Sequence, residues 1–217
     1  MELQDAINQR HSIRQFTDKP VEKKMITKIV ELAQRAPSWV NSQPWQVYCA
    51  MGDILQEIKN AYRDQDIAGN QGDSDLPVMS REDWAPQTQD NMKQWRHGIV
   101  HHFANFDEAH EKMTNASNTL YDSPVILYIT IPKASPDWSI FDAGLFAENI
   151  MLAATAYGLG TIPTYNSVRF LAILHQTLDV PEDERFIVGI SLGYSADTTI
   201  NSYHSERRPV NEILHFD

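Results

Sequence analysis

The stretch from 142 to 157 constrains the fold of this chain more than any other, because it is apolar on almost every side. It runs DAGLFAENIMLAATAY, and Gly158 and Gly160 follow it closely. A helix with so little polar surface must be buried, either in a large core or against a second subunit. The sequence therefore predicts a buried helix over 142–157 that ends at the two glycines.

The remaining segments predict a mixture of helices and strands. Apolar residues recur at helical spacing in several of them, whereas the runs PVILYITI and FIVGISLGY are typical of buried strands. Helices are predicted at 2–9, 21–35, 53–68, 91–120 and 167–178. Strands are predicted at 45–51, 124–131 and 186–194, and a further extended piece begins with Thr161, Ile162 and Pro163.

The region 69–115 is the least regular part of the chain. Its first half is polar and contains glycines and prolines that favour loops over 69–90. We interpret 69–115 as an excursion from one domain spanning 1–217, rather than as a separate domain. Its aromatic residues either line a substrate pocket or pack the excursion onto the body; they are Trp84, Trp95, Phe103 and Phe106.

Length and charge limit the possible partners. A chain of 217 residues suits a single domain, and its net charge of −11 argues against nucleic acid or an anionic membrane as the main partner. No segment approaches the roughly 18 apolar residues of a membrane span, and the first residues lack the pattern of a signal peptide. Cys49 is the only cysteine, which excludes an intrachain disulfide. We expect a soluble cytoplasmic protein.

The segment RHSIRQF at 10–16 carries two arginines four residues apart, with Ser12 between them. The planar guanidinium of an arginine donates two hydrogen bonds to a phosphate, and the serine adds a hydroxyl donor. Two arginines at this spacing also occur on solvated helix faces, so the motif alone is weak. It predicts a phosphate site whose second arginine, Arg14, faces another part of the same ligand.

A second segment, APSWVNSQPW at 36–45, is a polar turn between prolines. The side-chain amides of Asn41 and Gln43 each offer a donor and an acceptor, which matches the edge of a flat heterocycle with alternating acceptors and an N–H group. The alternative is a simple connector between a helix and a strand.

Two further patterns bear on other chemistries. His97 and His101 lie four residues apart, as zinc ligands on one helical face do, but no Glu follows His97 as in metalloproteases. We therefore predict no metal site. The chain has no Gly-x-Gly-x-x-Gly turn, no P-loop and no Gly-x-Ser-x-Gly elbow, which argues against a Rossmann dinucleotide site and a hydrolase.

Taken in order, these segments resemble the FMN-dependent nitroreductase family. RHSIRQF is similar to the family's first motif and APSWVNSQPW to its second. The stretch from 142 to 161 is similar to its long buried helix and the turn that follows. VGISLGY at 188–194 is similar to its last core strand, and NSYHSERRP at 201–209 to its C-terminal motif. The match runs nearly from end to end.

The resemblance implies an α+β fold: a central, mostly antiparallel sheet flanked by helices, in an intertwined homodimer with two FMN sites at the interface. Arg10, Ser12 and Arg207 would hold the phosphate, and Arg14 would lie near the flavin N1 and O2. The second motif would reach the flavin of the other subunit. The implied cofactor contacts are Arg10, His11, Ser12, Arg14, Pro37, Ser38, Trp39, Asn41, Gln43, Ile162, Pro163, Thr164 and Arg207.

Two positions depart from the family pattern or stay open. His204 stands where relatives often have arginine, so the phosphate site is weaker or uses Arg208. An asparagine that contacts the flavin in relatives maps to Asn115 or Asn118.

The resemblance implies an NAD(P)H-dependent oxidoreductase with bound FMN that reduces nitroaromatics, quinones or similar electron-poor acceptors by a ping-pong mechanism. The flavin would carry the chemistry, with no catalytic side chain. Three alternatives remain. The first is another flavin reaction on the same fold, such as dehalogenation, flavin cleavage or ring dehydrogenation. The second is a flavin-binding protein without catalysis, and the third is a histidine-based metal protein.

Overall fold

The computed structural model describes residues 1–216 as helices packed on both faces of one four-stranded sheet. The helices are α1 (Leu3–Gln9), α2 (Lys23–Ala33), α3 (Gly52–Ile67), α4 (Pro86–His101), α5 (Phe106–Asn118), α6 (Asp137–Ala156), α7 (Leu171–Leu178) and α8 (Thr199–Ser202). The strands are β1 (Gln46–Met51), β2 (Val125–Pro132), β3 (Gly160–Thr164) and β4 (Glu184–Gly193). Short 3₁₀ turns include Trp39–Asn41, Leu120–Asp122 and Val210–Glu212.

The sheet has the strand order β1-β2-β4-β3, and every pairing is antiparallel. The predicted α+β fold with an antiparallel sheet is therefore confirmed. Strand β2 is buried from Val125 to Ile131, and its side chains alternate between two cores. Leu127 faces the core under α2 and α6, whereas Ile126 and Tyr128 face the core under α3 and α7. Helices thus cover both faces of β2, which is why its sequence is continuously apolar.

Helix α6 confirms the prediction of a buried helix and extends it. The helix begins at Asp137, five residues before the predicted start, and Pro136 precedes it. One side packs on α2 and the sheet, and Phe146 stacks on Trp45 with ring centroids 4.7 Å apart. The other side carries Trp138 and Phe141, which are both more than half exposed.

The excursion differs from its prediction in two ways. Helix α4 begins at Pro86 instead of residue 91, because a proline in the first turn has no N–H to leave unpaired. The predicted single helix over 91–120 is broken at 102–105. There the Asn105 side chain accepts a hydrogen bond from the Glu108 backbone N–H at 2.9 Å and starts α5.

Two smaller points complete the comparison. The helix predicted over 167–178 begins at Leu171, since 166–168 form a 3₁₀ turn. Within residues 1–216, no helix has both the length and the apolar character needed to cross a membrane.

Candidate functional site

The first motif leaves α1 and runs beside the edge strand β3. The Ile13 N–H donates to the Thr161 carbonyl at 3.0 Å, and Ser12 forms a parallel bridge with Thr161. Phe16 then bridges Ser195, which follows β4. The sequence between these contacts is therefore held extended against the sheet edge, where its alternate side chains face in and out.

Arg14 is the unusual residue of this motif, because it is buried without a carboxylate partner. Its side chain is 9% exposed, and its guanidinium donates one hydrogen bond, to the Ser12 carbonyl at 3.2 Å. The ion pairs among residues 1–216 involve other arginines. Burial lowers the pKa of Arg14, while nearby Tyr121 and Tyr203 act in the opposite direction. A buried cation of this kind requires an anion or several acceptors to offset its desolvation.

Asn201 on α8 fixes the backbone around Arg14. Its Oδ1 accepts from the N–H groups of Arg14 at 2.7 Å and Gln15 at 3.1 Å. Its Nδ2 donates to the carbonyls of Gln15 at 2.6 Å and Ala196 at 2.9 Å. The hydrogen-bonding capacity of this buried amide is thus used, and three of its bonds join the C-terminal motif to the first motif. The sequence offers no local signal for this role, because the partners are 186 and 187 residues away.

His11 makes a second connection between the two motifs. Its Nδ1 lies 2.7 Å from the Gln9 carbonyl and its Nε2 lies 2.9 Å from the Asn201 carbonyl. Its ring lies against that of His204, with centroids 3.9 Å apart. Burial lowers the pKa of His204, and the neighbouring His11 and His102 lower it further. The first and C-terminal motifs therefore lie side by side.

The two arginines expected to bind phosphate are oriented differently. The Arg10 Nε lies 3.7 Å from Glu148 Oε1 on α6. Arg207 Nη1 donates to the carbonyls of Ser205 and Glu206, each at 3.0 Å, so its backbone acceptors are neutral. Among residues 1–216, no hydrogen bond or ion pair joins Arg207 to Arg10 or Ser12.

The strand residues Ile162, Pro163 and Thr164 lie at the same edge as the first motif. Ile162 packs with Ile13 and Phe16 in a small apolar cluster that also includes Tyr121. Pro163 is exposed, and Thr164 Oγ1 accepts from the Ser167 N–H at 3.1 Å. The hydroxyl of buried Thr161 has no hydrogen-bond partner within residues 1–216. This edge therefore joins predicted site residues from two distant segments.

The second motif lies elsewhere, at the N-terminal half of α6. The Trp39 N–H donates to Asp142 Oδ2 at 3.0 Å, and the Trp39 ring stacks on Trp138 with centroids 5.5 Å apart. Ser38 Oγ accepts from the Gln43 N–H at 3.0 Å. No hydrogen bond or ion pair within residues 1–216 links this motif to the first one. The structure thus brings together the first, strand and C-terminal groups, but not Pro37, Ser38, Trp39, Asn41 and Gln43.

The backbone of the second motif is strained. Val40, Asn41 and Gln43 have φ values of 49°, 58° and 44°, in the left-handed region that non-glycine residues rarely adopt. A β-branched valine there is the most costly of the three. Residues in such conformations cluster at functional sites, so this turn is a candidate for ligand or partner contact.

The excursion covers the first motif through α4 and the C-terminal tail. The Tyr203 hydroxyl donates to the Trp95 carbonyl at 3.3 Å, and Arg14 lies over the Trp95 ring at 5.9 Å from its centroid. A cavity of about 680 Å³ lies between α4 and the tail. Its lining includes Trp95, His97, Gly98, Tyr203 and Arg207.

The two histidines on α4 pack against each other. The rings of His97 and His101 have centroids 3.9 Å apart, and His101 Nδ1 lies 2.8 Å from the His97 carbonyl. Within the part of the chain that the structure describes, no group of three or more His, Cys, Asp and Glu side chains is arranged to hold a metal ion.

Comparison with known proteins decides the family. The model of the nitroreductase family matches residues 7–194. The chain belongs to the nitroreductase family. The family prediction is therefore confirmed, and the match contains the first motif, the second motif and all four strands.

Similar curated proteins of the nitroreductase family align with almost the whole chain. A 4-nitrobenzoate reductase of Pseudomonas putida is 28% identical over 97% of this chain and 93% of its own length. A chloronitrobenzene nitroreductase of Comamonas testosteroni is also 28% identical, over 99% of this chain and 96% of its own length.

Solved structures agree on the fold. The FMN and NADPH-dependent nitroreductase NfnB from Sphigopyxis sp. strain HMH has a TM-score of 0.91 at 21% identity and covers 100% of this chain and 99% of its own. The FMN-dependent nitroreductase NfnB from Mycobacterium smegmatis, solved with NADPH, has a TM-score of 0.89 at 23% identity, over 99% of this chain and 97% of its own. These likenesses confirm the nitroreductase-like fold.

Proposed function

We propose that this protein is an NAD(P)H-dependent oxidoreductase that binds FMN and reduces nitroaromatic compounds or similar electron-poor acceptors. The observation that carries the proposal is Arg14, a buried cation without a carboxylate partner, placed between the motifs that the resemblance assigns to the flavin. The two curated relatives above are named for nitrobenzoate and chloronitrobenzene, which supports an aromatic nitro compound as the acceptor.

The residues at the edge of β3 fit FMN. A flavin mononucleotide offers a phosphate dianion and an electron-rich pyrimidine edge, and this edge of the protein offers Arg14, which has no carboxylate partner within residues 1–216. Arg10, Ser12 and Arg207 would hold the phosphate, and Arg14 would face the flavin N1 and O2. The unpaired hydroxyl of buried Thr161 beside Ser12 is a further polar group that a ligand would satisfy.

Bound FMN supplies two-electron redox chemistry between the nicotinamide and the acceptor, which take turns at one site. The protein binds and orients these molecules. Arg14 favours negative charge on the flavin, because its own charge is little screened in a buried position. The excursion shields the site from water, and Trp95 offers an aromatic surface above Arg14. No side chain is needed as a nucleophile.

The site is completed by a second copy of the chain in this proposal. Trp39 is 60% exposed and Val40 is 86% exposed, next to the exposed Trp138 and Phe141 on α6. Large apolar side chains clustered on a surface mark protein interfaces. In an intertwined homodimer, the second motif would reach the flavin held by the partner's first motif. Dependence on an NAD(P)H pool also supports the expected cytoplasmic location.

The visible absorbance spectrum tests the proposal. The purified protein, reconstituted with FMN, is expected to show flavin bands that bleach with NADPH or NADH without oxygen and return on addition of 4-nitrobenzoate. Arg14→Gln is expected to weaken FMN binding at least tenfold, whereas Arg63→Gln, which alters an exposed arginine on α3, leaves it unchanged. Failure to bind FMN would refute the proposal. Bleaching followed by reoxidation with a halophenol, but not with nitroaromatics, would favour dehalogenation.

A further inference from the structure

A left-handed turn just before β2 is formed by three residues other than glycine. Leu120, Tyr121 and Asp122 have φ values of 49°, 63° and 51°, and no glycine relieves the strain. This conformation is disfavoured for Leu120 and Tyr121, whereas Asp122 tolerates it better. Three in succession persist only where the surrounding structure over-determines the turn, and such sites are often functional.

The turn is fixed from both sides. Leu120 is fully buried in the core under α3 and α7. On the other side, Lys59 of α3 donates from Nζ to the Ser123 carbonyl at 2.9 Å, and the Asp122 N–H donates to the Thr119 carbonyl at 3.1 Å. These contacts hold the backbone on both sides of Tyr121.

The residue so presented is Tyr121. Its ring packs on the cluster formed by Ile13, Phe16 and Ile162, which joins the first motif to β3. Arg14 and the hydroxyls of Thr164 and Ser117 lie near its phenol oxygen. Burial raises the pKa of Tyr121 in spite of these groups, so the phenol stays protonated and is a hydrogen-bond donor at neutral pH.

We infer that the Tyr121 hydroxyl is a second donor, beside Arg14, for the electron-rich N1–C2=O2 edge of the bound flavin. The inference rests on the proposed function, because it assigns a residue to the flavin site proposed above. Arg14 belongs to the first motif and Thr164 to β3, and these two segments lie side by side at the edge of the sheet. The strained turn holds the phenol at their junction. A donor at that edge favours the reduced flavin, whose negative charge is concentrated there.

Tyr121→Phe in the full-length protein with FMN tests the inference, since it keeps the ring packing and removes only the hydroxyl. The variant is expected to lose five- to tenfold in its preference for reduced over oxidised FMN. For a two-electron couple this makes the midpoint potential about 20–30 mV more negative. The potential is measured by equilibration with a redox dye, and FMN affinity by fluorescence titration. An unchanged potential with wild-type FMN affinity would overturn the inference.

A control and a second substitution separate the possible outcomes. Tyr157→Phe, at the exposed end of α6, is expected to keep the wild-type potential. A fluorinated tyrosine at position 121 keeps the shape of the side chain and makes the phenol a stronger donor, so the potential is expected to rise even if Tyr121→Phe folds poorly. An unchanged potential with the fluorinated residue would also overturn the inference. A wild-type protein that does not bind FMN would overturn both this inference and the proposed function, whereas the other outcomes concern Tyr121 alone.

Discussion

Arg14 is expected to lower the stability of the folded protein and to strengthen ligand binding. In the protein without FMN, its charge is buried with one carbonyl acceptor, which is a net cost to folding. We predict that Arg14→Met, which retains the volume of the side-chain stem, raises the free energy of unfolding of the FMN-free protein by about 1–2 kcal/mol. The same substitution is expected to weaken FMN binding, because it removes the charge that we propose faces the flavin.

Urea unfolding of the FMN-free protein and fluorescence titration with FMN measure the two effects of Arg14→Met. Arg63→Met is the control, since Arg63 is exposed and its replacement is expected to change neither quantity. A less stable FMN-free Arg14→Met protein would contradict this account of a buried charge without a partner.

His204 makes a pH-dependent contribution whose sign follows from its neighbours. Its pKa in the folded protein lies below the ordinary value of 6.5, because of burial and then the adjacent His11 and His102. The unfolded chain therefore binds more protons in this range, so the stability is present above pH 6.5 and is lost as the pH falls below it.

We predict that His204→Gln flattens the decline of stability between pH 7 and pH 5. The change is expected to be below about 1 kcal/mol, because His204 is only slightly buried and solvent screens its interactions. Thermal unfolding across this pH range measures it, with His110→Gln on the exposed side of α5 as the control. A steeper decline in His204→Gln would show that the sign is wrong.

At the residue scale, the sequence predicted what lies in contiguous motifs and missed what depends on distant contacts. The first and C-terminal motifs, which both carry predicted site residues, lie together through His11 and His204. Asn201 and Tyr121 were not predicted to fix the site. The role of Asn201 depends on partners about 190 residues away, and that of Tyr121 on a backbone conformation that its residue type disfavours.

At the scale of the elements, strand β4 requires a glycine where it crosses the turn after β3. A Cβ atom at Gly189 would lie 2.9 Å from the Cβ of the fully buried Ser167. We predict that Gly189→Ala destabilises the fold by about 1–3 kcal/mol through overpacking. Ser191→Ala on the same strand is the matched control. It removes a buried hydroxyl that has no partner within residues 1–216, so it is expected to be neutral or slightly stabilising. Urea unfolding measures both, and equal effects would contradict the argument.

The excursion is expected to be the least stable pair of helices. Helices α4 and α5 bury only Ile99 and Ala109, whereas β2 is buried along nearly its whole length. We predict that backbone amides of α4 and α5 exchange with deuterium at least tenfold faster than those of β2 and β4, because local opening there exposes little apolar surface. Hydrogen exchange with mass spectrometry measures this. Equal protection would show that the excursion is part of the main cooperative unit.

The elements themselves were predictable to different degrees for a physical reason. The apolar runs of β2, β4 and α6 leave no choice but burial, and each was predicted within a few residues except for the start of α6. The excursion lacks a clear apolar face, so periodicity could locate neither the start of α4 at Pro86 nor the break between α4 and α5 at 102–105. For α6, the structure of one chain shows burial of one side in the core, whereas burial of the other side against a second subunit stays a prediction.

At the scale of the whole molecule, α6 links the fold to the proposed dimer. Its outer side exposes Trp138 and Phe141, and the adjacent turn exposes Trp39 and Val40. A monomer would expose this apolar patch to water, beside a strained turn that has no hydrogen bond or ion pair to the first motif within residues 1–216. A second copy would cover the patch and give the strained turn a ligand to contact. Dimerisation would therefore explain both the exposed apolar patch and the strained turn.

We predict that Phe141→Asp converts the proposed dimer to a monomer and reduces FMN affinity at least tenfold. The carboxylate would be buried in the proposed interface without a partner, and the separated chains would lose the second-motif contacts to the flavin. Sedimentation velocity measures the mass in solution, and fluorescence titration measures FMN binding. Ile67→Asp is the control, because Ile67 is 78% exposed at the end of α3, which covers the opposite face of the sheet. If Phe141→Asp stays dimeric with normal FMN affinity, the interface does not include this side of α6; if it becomes monomeric but binds FMN normally, the second motif does not contribute to the flavin site.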